Sequence, residues 1–335
     1  MPCSCVQSAG KKPFSSGQFR LPILEMAEIF FRTLPFFAII GLGYWAGRTR
    51  FFTEEATAFL TKFVFFFPLS AMIFRFAANL SVAEIFDPNL ILGYLAGTLG
   101  VYAVATVVAM LRRQDISTAA VEAQCAAIGN VGFLGIPMMV ILFGEASVGP
   151  MMLVLTVDLV VFSSLIVVLI NAHRGAGLSL ATLRLVGVGL LKNPMILSIV
   201  AGLAWSAGQV PIPAPMNDFL AILGGAATPG ALFAIGASLA SKSAERVEVA
   251  GWLSFAKLVL HPLGVAAGVL WLMPVTPFSA AVAISAASLP VAGNVYMLAQ
   301  HYGVAPQRAS AAILISTVVS IVTVPFVIAW ANTLL

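Results

Sequence analysis

Two segments of the sequence combine helix-breaking residues with a carboxamide side chain, a combination that can bind an anion. Residues 126–139 read AAIGNVGFLGIPMM, and residues 286–299 read AASLPVAGNVYMLA. Proline removes a backbone N–H donor, while glycine tolerates the dihedral angles of a broken helix. A helix that restarts after such a break presents free N–H groups and a positive dipole end to an anion. The candidate binding residues are Asn130, Gly132, Pro137, Pro290, Gly293 and Asn294.

A second set of candidates consists of polar side chains within strongly apolar stretches. They are Asp158 in LTVDLVVFSS, His261 in KLVLHPLG, and Ser316 and Thr317 in LISTVVS. Because burial disfavours a charged carboxylate, Asp158 is a candidate to take up a proton or to coordinate a cation. A structural hydrogen bond to a neighbouring helix is the alternative. His261 is a candidate proton relay or a packing residue, and Lys257 is expected to extend its ammonium group to a polar surface.

The composition identifies the kind of molecule that must position these residues. Of the 335 residues, 60% are hydrophobic and 9% are charged, whereas soluble domains carry about 25% charged residues. This composition excludes a soluble enzyme, a nucleic-acid-binding protein and a disordered protein. Five Tyr and five Trp are too few for the aromatic girdles of a β-barrel, and the three cysteines lack metal-ligand spacing. We therefore predict an all-α polytopic membrane protein.

Apolar stretches separated by charged, glycine or proline residues predict about ten membrane-spanning helices, because each crossing needs roughly 20 apolar residues. No segment between them is long enough for a separate soluble domain. The predicted spans, numbered 1 to 10, are residues 27–47, 56–78, 88–111, 118–143, 147–171, 183–207, 217–240, 248–273, 277–301 and 306–332.

A weak internal repeat relates the two halves of the chain at an offset of 159 residues. The matching positions are Pro35 and Pro194, Gly43 and Gly202, and Phe143-Gly144 and Tyr302-Gly303. Each half, residues 26–173 and 174–335, would contain five spans, so the second repeat would enter the membrane from the opposite face. Inverted repeats with interrupted helices in corresponding positions are typical of secondary transporters. Spans 4 and 9 are the interrupted pair here.

The basic residues predict how the chain is oriented. Those that follow odd-numbered spans are numerous, whereas Arg75 stands alone on the other side, with Arg32 ambiguous at the start of span 1. The positive-inside rule therefore predicts an inner-membrane protein with both termini outside the cytoplasm. The polar, basic tail 1–25 contradicts this orientation, and we expect it to be untranslated or disordered. The residues after odd-numbered spans are Arg48, Arg50, Arg112, Arg113, Arg174, Arg184, Lys242, Arg246 and Arg308.

Several motifs resemble those of the auxin efflux carrier family in its bacterial form. They read GNVGFLGIPMMVILFGEASVGP, KNPMILSIVAGL, ATPGALFAIGASLA, KLVLHPLG and SLPVAGNVYMLAQHYGVAP, and the resemblance extends from about Phe31 to Val327. It implies two inverted five-helix repeats, akin to the bile acid:sodium symporters, with a scaffold part and a mobile transport part that cross over at spans 4 and 9. Asn130 and Pro137 match the family's span-4 crossover and Pro290 that of span 9, whereas Asn294 stands where members vary.

The resemblance implies a transporter of small organic anions, in particular carboxylates, which it exports by elevator-like alternating access. The long loop after span 5 of the plant members is absent, so neither its regulation nor auxin itself is carried over. Sodium- or proton-coupled uptake of the bile-acid type is the alternative. No cofactor is expected apart from Na⁺ or H⁺ as a coupling ion. The expected partners are the anion, the lipid bilayer and a second copy of the chain in a homodimer.

Other classes of membrane protein fit the sequence less well. Intramembrane aspartyl proteases need two aspartates, whereas Asp158 is the one aspartate in mid-span. Gly236-Ala237-Ser238 is followed by Leu239 rather than by the second glycine of a rhomboid-like motif. A sensor that binds an anion without moving it would need an output domain, which the predicted spans leave no room for. The sequence therefore favours a transporter over an enzyme.

Overall fold

The computed structural model describes residues 22–80, 86–174, 179–241 and 247–335, and within these ranges the regular secondary structure is helical apart from one isolated antiparallel β-bridge. Seven helical stretches are long and apolar enough to span a membrane, and an eighth is present if Leu180–Lys192 and Pro194–Ala207, bent by 66°, form one span. An all-α polytopic membrane protein is thus confirmed, while the count of ten spans stays a prediction. The seven are Ala27–Arg48, Glu54–Ala78, Pro88–Leu111, Glu145–His173, Ala214–Leu239, Val247–Leu272 and Pro306–Asn332.

Two sequence predictions concern residues outside the described ranges. Residues 1–21 of the N-terminal tail lie there, as do Lys242 and Arg246 of the basic set. The first helix begins at Pro22, ahead of the predicted start at Met26.

The α-helices are numbered here in chain order. They are α1 Pro22–Arg48, α2 Glu54–Phe66, α3 Pro68–Ala78, α4 Pro88–Leu111, α5 Ile116–Ala127, α6 Ile136–Phe143, α7 Val148–Val157, α8 Ser163–His173, α9 Leu180–Lys192, α10 Pro194–Ala207, α11 Ala214–Gly225, α12 Ala227–Leu239, α13 Val247–Phe255, α14 His261–Ala267, α15 Pro277–Ala287, α16 Gly293–Tyr302 and α17 Pro306–Asn332. Wider π-helical turns occupy Val131–Gly135, Asp158–Phe162, Ala256–Leu260 and Gly268–Leu272.

Polar residues and prolines set many of the helix starts. The side chains of Asp87 and Asp115 accept backbone N–H groups at the starts of α4 and α5, and Asn193 does the same for α10. Proline occupies the first turn of α4, α10, α15 and α17, where its missing N–H group costs no hydrogen bond. These local signals determine where the helices within the predicted apolar stretches begin.

The helices pack into two bodies. Body 1 contains residues 22–80 and 179–241, in which α1 packs against α12, and α3 packs against α10 and α11. Body 2 contains residues 86–174 and 247–335, in which α4 packs against α5 and α14, and α17 packs against α13 and α15. Each body therefore takes corresponding parts from both halves of the chain, and the predicted site residues all belong to body 2.

Close backbone contacts in body 1 are reciprocal between the two halves of the chain. A Cβ atom at Gly43 would lie 2.1 Å from the carbonyl oxygen of Phe233, and one at Gly202 would lie 2.8 Å from that of Phe74. Gly202 and Phe233 follow Gly43 and Phe74 by the same 159 residues that the sequence repeat predicts. Glycine is therefore required on both sides of body 1, because any side chain would collide with the backbone of the facing helix.

Glycines also bring two helices of body 2 together. A Cβ at Gly97 would lie 2.4 Å from the carbonyl oxygen of Gly264, and one at Gly268 would lie 2.0 Å from that of Gly93. Gly93 faces Gly268 and Gly97 faces Gly264, so α4 and the helical stretch 247–272 run antiparallel. This contact places polar residues of α4 next to those of the π-helical turn Ala256–Leu260.

Candidate functional site

The broken segments after α5 and before α16 hydrogen-bond to each other. The Asn130 N–H donates to the Pro290 carbonyl at 2.9 Å, and the Ala292 N–H donates to the Ile128 carbonyl at 3.1 Å. These bonds form the antiparallel bridge between Gly129 and Val291. Residues 128–130 and 290–292, here named the crossover, thus satisfy some of the backbone groups that the two breaks expose, as an apolar surrounding requires.

The helix that follows each break begins without a side-chain cap. Asn130 is 5% exposed, and its carboxamide makes no hydrogen bond with the described residues. Asn294 lies in the first turn of α16, and its Oδ1 atom is buried without a hydrogen-bond partner. A Cβ atom added at Gly293 would have no other atom within 4 Å. The start of α16 therefore combines uncapped N–H groups, a buried carboxamide oxygen without a partner and open space beside Gly293.

The other predicted crossover residues are closely packed. Pro137 is buried in the first turn of α6. A Cβ at Gly132 would lie 3.3 Å from the Sδ atom of Met195 and 4.0 Å from the Cδ2 atom of Leu69, both in body 1. The start of the π-helical turn at Val131–Gly135 thus faces body 1 directly.

A lysine and a histidine form a buried hydrogen-bonded pair beside the crossover. The ammonium group of Lys257 donates to the Ala287 carbonyl at 2.5 Å and lies 2.8 Å from Nδ1 of His261. The other ring nitrogen of His261 lies 3.0 Å from Oγ1 of Thr98. A Cβ at Gly129 would lie 3.2 Å from the Lys257 Nζ. Ala287 is the last residue of α15, so the ammonium group sits at the negative end of that half-helix dipole.

The prediction that Lys257 reaches a polar surface is therefore wrong, because its side chain is 0% exposed. The sequence contains the signal for its position, since Lys257 and His261 are four residues apart on one helical face. How deeply this helical face is buried depends on how α4 and α15 pack around it. The order of residues along one helix does not give that information.

Asp158 is held by α4 rather than by the residues that mirror it in the repeat. The hydroxyl group of Tyr94 donates to Oδ1 of Asp158 at 2.9 Å, and Oδ2 is buried without a partner. Thr317 donates to the Ile313 carbonyl in its own helix. Ser316 accepts the Val291 N–H at 3.1 Å and so supports the crossover. The structure thus joins Asn130, Pro290 and Ser316 at the crossover. Asp158 instead binds Tyr94 of α4, and His261 binds Lys257 beside the crossover.

A buried carboxylate at one end of body 2 binds two arginines. Both oxygens of Glu122 are paired, one with Arg112 and the other with Arg308. The Arg308 Nη2 also donates to Gln114 at 2.7 Å. Arg174, at the end of α8, donates to the Tyr302 carbonyl at the end of α16. This part of the molecule, here named the basic end, fastens α4, α5 and α17 together and α8 to α16.

Comparisons with known proteins identify the family of this chain. The chain matches the model of a family described as "Membrane transport protein" over residues 28–328. A protein of Rhizobium meliloti (strain 1021) named "Putative malonate transporter" is 32% identical over 310 residues, 89% of this chain and 94% of that protein. A protein of Escherichia coli (strain K12) named "Uncharacterized transporter YfdV" is 26% identical over 298 residues, 87% of this chain and 94% of that protein. The chain therefore belongs to the auxin efflux carrier-type membrane transport family and is a membrane transporter, not an enzyme.

Proposed function

We propose that this protein is a secondary transporter that exports small dicarboxylates such as malonate, with the substrate bound at the crossover. The relative named for malonate is 32% identical to this chain, and the match covers 89% of it. The single observation that carries the proposal is the uncapped start of α16, whose backbone N–H groups lie next to the buried carboxamide of Asn294. Carboxylates bind well to such donors, because a helix N-terminus favours negative charge.

The division into two bodies supports an elevator-like mechanism. The side-chain hydrogen bonds that we identify between distant parts of the described chain join residues of the same body; examples are Arg75 to Asn217 in body 1 and Tyr94 to Asp158 in body 2. The contacts that we identify across the boundary are apolar, such as the stacked rings of Phe65 and Phe133. A boundary of this kind lets one body slide along the other without breaking buried polar contacts.

The reciprocal contacts support an inverted repeat. Gly43 with Phe233 and Gly202 with Phe74 are the same contact made twice, with the halves exchanged. The helices that follow the two breaks also end at opposite ends of body 2. α16 ends at Tyr302 beside Arg174 at the basic end, whereas α6 ends at Phe143 beside Phe278, the start of α15. If the two halves of the chain exchanged their conformations, the same crossover would therefore open to the other side of the membrane.

The position of Lys257 favours export without a coupling cation. In transporters with broken helices, coupling cations bind at the carbonyl ends of the half-helices. Here the carbonyl end of α15 already binds the Lys257 ammonium group. An inside-negative potential favours the exit of an anion by about 2.3 kcal/mol per charge per 100 mV. Electrical driving force alone is therefore sufficient for the export of a dianion.

The experiment that tests this function measures thermal stabilisation by malonate and malonate flux. We expect malonate to stabilise the purified protein, and Asn130→Ala to lose both the stabilisation and the flux. Asn79→Ala is the matched control, since that exposed amide bonds only to the Arg75 carbonyl in its own helix. A wild-type protein that neither binds nor transports malonate or related dicarboxylates contradicts the proposal, as does an Asn130→Ala variant with normal stabilisation.

Coupled uptake is the second candidate, and one observation favours it. The unpartnered Oδ2 atom of Asp158 leaves a buried carboxylate oxygen free to hold a proton or to bind a cation. In that case malonate flux into proteoliposomes would require Na⁺ or a pH gradient, and Asp158→Asn would remove this requirement. Under the export proposal, Asp158→Asn transports with an unchanged dependence on pH between 5 and 8, and Na⁺ has no effect.

A further inference from the structure

The two helices that follow the crossover differ sharply in exposure. Met138 in α6 and Met297 in α16 occupy corresponding positions at the repeat offset of 159 residues. Met138 is 0% exposed, whereas Met297 is 59% exposed. Leu134 and Gly293 also correspond at this offset, and they differ in the same way: Leu134 is fully buried and Gly293 is exposed. Two copies of one structural unit thus lie in different surroundings.

Body 1 covers the buried copy. The ring of Phe133 stacks on Phe65 with centroids 6.2 Å apart. Met195 and Leu69, also of body 1, lie against Gly132, where an added Cβ atom would lie 3.3 Å from the Met195 Sδ atom and 4.0 Å from the Leu69 Cδ2 atom. On the α16 side, by contrast, open space adjoins Gly293. The crossover is therefore sealed on one side by apolar side chains of body 1 and accessible on the other.

The accessible side faces the basic end. α16 extends from the crossover to Tyr302 and Arg174, so Met297 lies between the crossover and that end. At the opposite end a cavity of about 490 Å³, lined in part by Arg32, Leu142 and Phe143, enters between the bodies. It stops short of the crossover, because Met138 and Met139, one turn deeper, are fully buried.

From this asymmetry we infer that the structure is the access state in which the crossover opens along α16 to the basic end, and that Met195 is the gate residue on body 1 that seals it along α6. In the alternate state, Met138 and Met297 exchange their surroundings. The inference rests on the proposed transport function and adds the direction of access, the gate and two reporter positions.

Cysteine labelling with a charged, membrane-impermeant thiol reagent tests the assignment. The full chain is used with Cys3→Ser, Cys5→Ser and Cys125→Ala as background, and Met138→Cys or Met297→Cys is added in vesicles of both orientations. We expect position 297 to label at least about tenfold faster than position 138, which corresponds to a bias of about 1.4 kcal/mol. Labelling of 297 should proceed from the side of the basic end. Saturating malonate should change the ratio of the two rates.

Val322→Cys is the control for exposure to lipid, because Val322 in α17 is an exposed apolar residue that a charged reagent reaches slowly in a membrane. If position 297 labels as slowly as position 322, the exposed face of α16 contacts lipid and the inference is overturned. Equal labelling of 138 and 297, or labelling of 297 from the opposite end, also overturns it. Malonate binding by the same variants separates these outcomes from a failure of the proposed function.

The gate is tested by shortening the side chain that seals the crossover. We expect Met195→Ala to raise the labelling of position 138 at least about fivefold from the end opposite the basic end, a bias of about 1 kcal/mol. Leu197→Ala on the same helix is the control, since Leu197 is an exposed residue of α10, and it should leave the labelling unchanged. An unchanged rate in Met195→Ala excludes Met195 as the gate.

Discussion

At the scale of single residues, the main structural finding is that α4 brings two sets of buried polar groups together, because the rings of Tyr94 and His261 lie edge to face with centroids 6.0 Å apart. Tyr94 and Thr98, one turn apart on α4, bind Asp158 and His261 respectively, and His261 binds Lys257. Lys257 in turn binds the carbonyl end of α15. A buried charge is costly unless it is paired and hydrogen-bonded, so each member of this arrangement constrains the others.

Removal of the Tyr94 hydroxyl group tests this dependence. Tyr94→Phe leaves both oxygens of Asp158 without a partner, and we expect it to lower the free energy of unfolding by about 1–3 kcal/mol. In an Asp158→Asn background the same substitution should cost less, because the acceptor no longer carries a charge. Chemical denaturation in detergent of the four proteins of this double-mutant cycle measures the coupling. Additive losses would mean that the two side chains act independently.

At the scale of helices, glycine decides how closely α4 approaches the stretch 247–272. Gly97 and Gly100 are both in α4, but a Cβ at Gly97 would lie 2.4 Å from the Gly264 carbonyl oxygen, whereas one at Gly100 meets no atom within 4 Å. Gly97→Ala should therefore destabilise the protein by about 1–3 kcal/mol through overpacking. Gly100→Ala should be neutral or stabilising by up to about 1 kcal/mol, since alanine favours a helix. Thermal unfolding of both variants checks the contrast.

The start of α5 gives a prediction that depends on pH. The backbone N–H of Thr118 donates to Asp115 and lowers the pKa of its carboxyl group, helped by the Thr118 hydroxyl group, the Ser117 N–H and nearby His173. Because the folded-state pKa lies below the unfolded value, this stabilisation is present above about pH 4 and lost as the pH falls further. Asp115→Ala should cost about 1 kcal/mol at pH 7. The difference from wild type should shrink in acid, as measured by thermal unfolding.

At the scale of the whole molecule, the boundary between the bodies should move during transport while each body stays intact. A Phe65→Cys/Phe133→Cys pair crosses the boundary, and Phe74→Cys/Trp205→Cys lies within body 1; the ring centroids of the native pairs are 6.2 and 6.3 Å apart. We expect a short bifunctional thiol reagent to stop malonate flux in the first variant and to spare it in the second. Flux that survives a completed crosslink at the boundary would contradict a sliding mechanism.

The basic end is also a property of the whole molecule, because its arginines are far apart in the sequence. Arg112, Arg174 and Arg308 come from distant parts of the sequence and meet where α16 ends. Two arginines share the Glu122 carboxylate, so the cluster retains net positive charge. Positive charge at an entrance raises the local concentration of anions. A charged rim next to the accessible side of the crossover thus agrees with a dianionic substrate.

The sequence by itself determined the class of the molecule and the position of its breaks. Low charge and long apolar stretches leave a helical membrane protein as the remaining class, and Pro290 with the glycines around Asn130 marks where helices must end, because these effects are local to the backbone. The family and its transport function followed from motifs alone. Whether the chain forms ten spans in an inverted repeat, and whether the six crossover candidates bind substrate, stays a prediction.

Only the tertiary structure decided which polar groups meet and which side of the crossover is covered. Lys257 was misplaced because depth in a bundle depends on the helices that surround a residue, and the linear pattern gives only its face on its own helix. The different surroundings of Met138 and Met297 likewise follow from how body 1 sits against body 2. The two methionines are related by the predicted repeat offset, and the long-range packing of the helices makes their surroundings different.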